Sequence, residues 1–231
     1  MFAALACPPP TEIPPMFPSA LAVVGCLGGQ QLSGWIQRGL HRRHDDRARG
    51  VSPALGPWLG CTWLLLGLRL ASTPATLGAL LLLSVPLLAL AAIDADVHRL
   101  PDALTLPLYP LSLVVLTGAS LLDDRLTAMG WSLAGCALGV SVFLAFALLT
   151  PRAALGLGDV KLAGVLGLIA GLGGPNALLL AVWLASALGG AQAVHALRHG
   201  APAHTPIAFG PALILGTYAA IVVVGSANLP Y

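Results

Sequence analysis

The chain has 231 residues, of which 57% are hydrophobic and 9% charged, with a mean hydropathy of +0.88 and a formal net charge of +2. A soluble domain carries about 25% charged residues, so this composition excludes a water-soluble globular fold and predicts an integral membrane protein built of helices. No basic tract is interleaved with aromatics, so nucleic acid is not expected as a partner.

Residues 1–16, MFAALACPPPTEIPPM, are Pro-rich and lack a basic n-region, which predicts an extended tail rather than a secretory signal. Residues 17–231 read as a single membrane-embedded domain without an internal repeat. Apolar runs place spans near 17–36, 54–71, 75–93, 103–122, 130–150, 161–173, 176–197 and 207–227. The third contains LGALLLLSVPLLALAAI, apolar on every side, as expected for a helix in lipid or in a protein interior. It has none of the alternation of a membrane barrel strand. The first span is interrupted by GGQQLSGW, and the sixth is short. The expected fold is therefore an all-α polytopic bundle of about eight spans in a lipid bilayer.

Cations set the expected orientation. Arg38, Arg42, Arg43, Arg47 and Arg49 fall in the first loop, and alternation puts Arg99, Arg152, Lys161 and Arg198 on the same side. Only Arg69 and Arg125 fall opposite, so the positive-inside rule makes the first side cytoplasmic. Cys7, Cys26, Cys61 and Cys136 form no C-x-x-C pair, and three of them lie in apolar runs as small core residues. No metal site and no cofactor is expected.

The carboxylates carry the functional signal. Glu12 lies in the tail, Asp45 and Asp46 in the basic loop, and Asp123 and Asp124 in a short turn, all expected as solvated charges. Asp94, Asp96, Asp102 and Asp159 remain, at the cytoplasmic ends of spans. Asp94 closes the apolar run LLALAAI, and Asp159 opens LAGVLGLIAGL. One helix out, a turn and one helix back separate them, so both return to the same membrane face. Ionisable residues at such positions are costly and are functional candidates. Gly156 and Gly158, flanking a leucine before Asp159, have no Cβ and allow close approach of an extended peptide. Two carboxylates a few ångströms apart do not both ionise readily, so one keeps a proton. The ionised partner then activates a water, and the protonated one polarises a carbonyl and later protonates the leaving amine. That pattern points to an aspartyl protease at a membrane surface.

Three blocks in order resemble the type IV leader peptidases, or prepilin peptidases. They are AAIDADVHRLPDALTLPL (91–108), GLGDVKLAGVLG (156–167) and TPIAFGPALILG (205–216). The resemblance covers roughly residues 75–220. It implies that Asp94 and Asp159 are the catalytic aspartates of a bacterial inner-membrane enzyme with its site facing the cytoplasm. The substrates it implies are membrane-anchored prepilin or pseudopilin-like precursors, cut after a glycine between a basic leader and an apolar helix. In many family members the first loop holds a cysteine-motif domain linked to N-methylation. Here that loop, QRGLHRRHDDRARGVSP (37–53), has no cysteine, so a short form without that domain is expected and methyltransferase activity is not. The GGQQLSGWIQRGL segment (28–40) is only distantly similar to the family's N-terminal block, and the third block has a different Pro–Phe spacing.

Supporting roles are expected for Lys161, beside Asp159 or as a snorkelling cation, and for Asp102, as a helix cap or a support of the site. Phe209, Gly210 and Pro211 are expected to start the last helix and shape the substrate groove. Asp96 and His98 complete a D-x-D-x-H pattern, but no second ligand cluster accompanies it, and they read as solvated loop residues. His195, His199 and His204 read as surface histidines. Trp35, Trp58, Trp63, Trp131 and Trp183 fall mostly near span ends, as interfacial anchors do. Two rival readings are an ion- or proton-coupled transporter, which shares intramembrane carboxylates, and an inactive scaffold. The acids sit at the membrane edge without an inverted repeat, which disfavours the transporter, and a scaffold does not need both. The oligomeric state is not encoded in any of these features.

Overall fold

A computed structural model describes residues 16–39, 55–149, 156–200 and 208–225. The Pro-rich tail, most of the basic first loop with Asp45 and Asp46, Arg152 and His204 lie outside the described residues. Among the described residues there are eight helices: α1 (Met16–Gln37), α2 (Leu55–Arg69), α3 (Pro74–Val97), α4 (Asp102–Leu122), α5 (Thr127–Leu149), α6 (Leu157–Gly171), α7 (Gly174–Arg198) and α8 (Gly210–Val224). The all-helical bundle expected from composition is present, and the chain is a multi-pass membrane protein.

Four helices, α3, α4, α5 and α7, are long and apolar enough to cross a bilayer, and α8 is a shorter apolar helix. The eight helices fall within a few residues of the expected spans, and these four of them meet the length and hydropathy of a full crossing. Helices α2, α6 and α8 have 15 residues each, or about 22 Å at 1.5 Å per residue, short of an apolar core of about 30 Å. Helix α6 explains how a short helix survives. From Leu162 to Gly171 every residue is buried, so it meets protein rather than lipid. Helix α5, by contrast, buries only a thin stripe.

The centre of the molecule is α3, α6 and α8. Leu80, Leu83, Leu87 and Leu90 of α3 share one core cluster with Leu162, Val165 and Ile169 of α6 and with Leu213, Ile214 and Ile221 of α8. Around it the helices associate by small faces, as helices do when lipid offers no hydrophobic drive. Gly25 and Gly29 of α1 lie against the backbone of α2 at Leu55 to Gly60. Gly135 of α5 and Gly167 of α6 lie backbone to backbone, and a methyl on either would overlap the other's carbonyl.

Polar bonds fix the register. Arg69 of α2 donates from Nε to the Val222 carbonyl and from Nη2 to the Val223 carbonyl, each at 2.8 Å, closing the end of α8. Tyr218 donates its hydroxyl to the Leu80 carbonyl at 3.1 Å, joining α8 to α3. Asp123, expected as a solvated loop charge, instead accepts from the amides of Ala75 (3.3 Å) and Thr76 (2.7 Å). It caps the start of α3 from the α4–α5 turn, because first-turn amides have no partner within their own helix. Asp124 is exposed in that turn, with φ of 54°. Cys61 also departs from expectation: it is exposed on α2 rather than in the core.

The glycine contact gives a stability prediction. Gly167→Ala lowers stability by about 3 kcal/mol, since a methyl there must displace backbone. Gly130→Ala, with nothing near its Cβ position, is neutral or gains up to about 1 kcal/mol of helix propensity. Thermal unfolding of both variants in detergent checks the contrast, and equal melting temperatures would contradict it.

Candidate active site

Asp94 lies in the last turns of α3, which runs past the expected end of the span to Val97. His98 then stops the helix in a left-handed conformation, with φ of 54° and its amide bonded to the Asp94 carbonyl. Asp94 is 5% exposed. A carboxylate buried in apolar surroundings needs hydrogen-bond donors, and the structure supplies one from far along the chain. The Gly210 amide at the start of α8 donates to Asp94 Oδ2 at 2.9 Å. A Cβ on Gly210 would lie 2.8 Å from that oxygen, so a larger residue there would push the carboxylate out of place. The N-terminal end of a helix also carries partial positive charge, which favours an acid there.

Asp159 sits in the first turn of α6, which starts at Leu157 rather than near Lys161 as expected. Gly156 is the cap residue, and the Asp159 amide donates back to its carbonyl at 3.0 Å. A Cβ on Gly156 would lie 3.8 Å from Asp159 Oδ2, so the glycine leaves that face of the carboxylate open. Gly158 packs against Leu100, where a Cβ would approach the leucine Cβ at 3.0 Å. The stretch after α3 thereby lies against the entrance of α6. The last turns of α3, with Asp94, and the first turn of α6, with Asp159, therefore lie at the same end of the bundle.

The supporting residues gather at the same end. Lys161 pairs with Asp102 at 2.7 Å rather than with Asp159. Asp102 is the first residue of α4, follows the cap residue Pro101 and makes no side-chain cap bond. Its carboxylate ties α4 to α6 instead. Tyr109, which the sequence reading did not single out, donates its hydroxyl to the Lys161 carbonyl at 2.7 Å and rests against Gly164. Its signal was present: a tyrosine two turns beyond Asp102 in an apolar helix needs an acceptor for its hydroxyl. Phe209 anchors the start of α8, its ring over Gly189 of α7 and 6.2 Å from the ring of Phe143. Pro211 follows in the first turn of α8 and faces a groove.

Asp96 is a second departure. It was expected in a solvated loop, yet it is 0% exposed within α3. No residue that breaks a helix occurs between Asp94 and Asp96, so the helix continues through both. Among the described residues no three His, Cys, Asp or Glu side chains are grouped to hold a metal ion.

The known proteins that this chain resembles are leader peptidases. The type IV leader peptidase family matches residues 81–194, a segment that holds both aspartates, Asp102 and Tyr109. A prepilin leader peptidase/N-methyltransferase of Stutzerimonas stutzeri is 36% identical over 146 residues, covering 63% of this chain and 49% of the relative. Another protein of that name, from Pseudomonas aeruginosa, is 39% identical over 152 residues, with 63% and 49% covered. A third, from Aeromonas hydrophila, is 37% identical over 185 residues, with 76% and 62% covered. The first two show that the chain spans about half the length of the curated relatives it matches. No solved structure matches it. The segment 81–194 belongs to the type IV leader peptidase family.

The Lys161–Asp102 pair is partly exposed, 34% and 59% respectively, and solvent screens such pairs. A double-mutant cycle of Lys161→Met and Asp102→Asn is therefore expected to give a coupling below about 1 kcal/mol in thermal unfolding. A coupling well above that value would mean that the pair is shielded in the membrane.

Proposed function

We propose that the protein is a membrane aspartyl endopeptidase that removes the leader from prepilin-like precursors, with Asp94 and Asp159 as its catalytic pair. The feature that carries this reading is the placement of two carboxylates, in the last turns of α3 and the first turn of α6, at one end of the bundle, where Gly158 packs against Leu100 of the stretch after α3. Family membership of the segment that holds them supports the same chemistry. The substrates would be membrane-anchored precursors with a leader outside the apolar layer and an apolar helix within it. By the cation count the site would face the cytoplasm of a bacterial inner membrane.

On this reading one carboxylate is ionised and the other holds a proton. The ionised carboxylate takes a proton from a water, whose oxygen attacks the scissile carbonyl carbon. The protonated carboxyl donates a hydrogen bond to the carbonyl oxygen. The tetrahedral intermediate then collapses, the C–N bond breaks, and the leaving amine takes a proton from the pair. Gly210 holds Asp94 in one orientation through the cycle, and Gly156 leaves Asp159 open to water and peptide. On this reading the pair shares one proton, so neither role belongs permanently to one residue.

A cleavage assay in membranes tests the proposal. Co-expressed with a precursor carrying a glycine before its apolar helix, the parent chain is expected to shorten the precursor after that glycine, read by mass. Asp94→Asn and Asp159→Asn are each expected to insert normally and to abolish cutting. A chelator is expected to leave cutting intact. Activity retained by either variant, or lost to chelation and restored only by added metal, would refute the paired-carboxylate mechanism. Gly210→Ala is expected to lower kcat by about tenfold or more, because a displaced catalytic group costs at least that much, with little change in KM.

A further inference from the structure

Between α2, α3 and α8 lies a groove of about 150 Å³ whose lining reaches Ala95 and Pro211, next in sequence to Asp94 and Gly210. Each helix contributes one stripe at three- and four-residue spacing. From α3 come Ser84, Leu88, Ala91 and Ala95, and from α8 come Pro211, Ile214 and Tyr218. Residues at that spacing share one helix face, so the groove runs parallel to the helices. From Ala95 to Ser84 it extends along α3 for about 16 Å, three turns of helix. That is roughly half the apolar thickness of a bilayer.

We propose that this groove receives the apolar helix of the precursor, alongside α3, immediately past the bond cut at Asp94 and Asp159. The inference rests on the peptidase reading and deepens it.

Three features point to this occupant. The first is continuity. Ala95 follows Asp94 in the chain, and Pro211 follows Gly210, whose amide holds Asp94. The near end of the groove is thus one residue along the chain from Asp94 and from the amide that holds it. The second is the polarity of the walls. The hydroxyls of Thr62, Ser84 and Tyr218 donate to the carbonyls of Trp58, Leu81 and Leu80 of this same chain. The indole of Trp63 donates to Ser84. With those groups bonded among themselves, an apolar surface is left for the occupant. The third is the taper. Ala91, Ala92 and Ala95 form the floor near Asp94, where small side chains let a second helix backbone come close. Leu88 and Tyr218 narrow the far end. The enclosed volume admits about one aromatic or branched side chain, so the precursor helix would lie along the mouth and insert single side chains. An acyl chain needs neither the alanine floor nor continuity with Asp94.

Photo-crosslinking tests the proposal in native membranes. The Asp159→Asn chain carries p-benzoylphenylalanine at Leu88 or Ile214, or at Val114, which is 72% exposed on α4 outside the groove. It is co-expressed with a single-span precursor and irradiated. Leu88 and Ile214 are expected to give a precursor-sized adduct mapping to the apolar helix, and Val114 none above background. In the otherwise unaltered chain, Ala91→Leu is expected to raise KM for the precursor about tenfold, equivalent to 1.4 kcal/mol of binding, with kcat nearly preserved. Adducts to lipid alone, adducts equal at Val114, or a kcat loss with KM unchanged would overturn the groove assignment while the peptidase reading stands. A failure of the parent chain to cut the precursor would overturn both. Should Ala91→Leu fail to fold, the crosslinking result decides.

Discussion

A single hydrogen bond, from the Gly210 amide to Asp94, is the constraint on which the arrangement turns. Burying a carboxylate in an apolar bundle is expensive, and the expense falls only if donors or opposite charge meet it. Helix α8 meets it with its N-terminal end. The same helix is closed at its other end by the Arg69 guanidinium and tied at its middle by Tyr218. Positive backbone charge thus faces the acid, and a cation faces the negative end, as the dipole of the helix favours. The result is a 15-residue helix held at both ends and at its centre, which fixes the position of the carboxylate it contacts.

Asp159 is positioned by different means. Its helix, α6, is too short to span and is buried along nearly its whole length, so packing rather than lipid determines its depth. The glycine contact with α5 sets the spacing on one side. On the other, Tyr109 bonds the Lys161 carbonyl, and Asp102 bonds the Lys161 side chain. One residue of α6 is therefore fastened to α4 by both its backbone and its side chain, two positions beyond Asp159. Each aspartate has its own frame, and α3, α6 and α8 share one core that joins the frames.

Much of this was legible in the residues. Composition alone defined the class of protein, and apolar runs placed each helix to within a few residues. The two acids stood out because each interrupts an otherwise apolar stretch. What could not be read was whatever depends on partners distant in sequence. Asp123 looks like any acid in a turn, and only the folded chain brings the amides of Ala75 and Thr76 to it. Lys161 follows Asp159 closely enough to act on it, and could equally snorkel, yet it pairs with Asp102 across the bundle. Asp96 reads as solvated because acids usually are, and its burial follows from the helix continuing for another turn. Hydropathy placed all eight helices but cannot distinguish a helix surrounded by lipid from one surrounded by other helices, such as α6.

The site lies where two environments meet. Asp159 is half-buried beside an exposed Gly156, whereas Asp94 is buried and its chain neighbour Ala95 lines an apolar groove. A hydrolase acting on a membrane-anchored chain faces opposing needs, since water must reach the bond and the anchor must stay out of water. Opening a wet channel to the middle of a bilayer would leave polar backbone to be satisfied in lipid. Placing the acids at the ends of their helices avoids that cost. Water then has to reach only the last turn, through the side left open by glycine. In the proposed groove the apolar part of a substrate would lie along α3, among residues whose hydroxyls are already bonded. The separation of a polar approach from an apolar one is thus set by which face of α3 each aspartate's neighbours occupy. It follows from the packing of α8 on one side and α6 on the other.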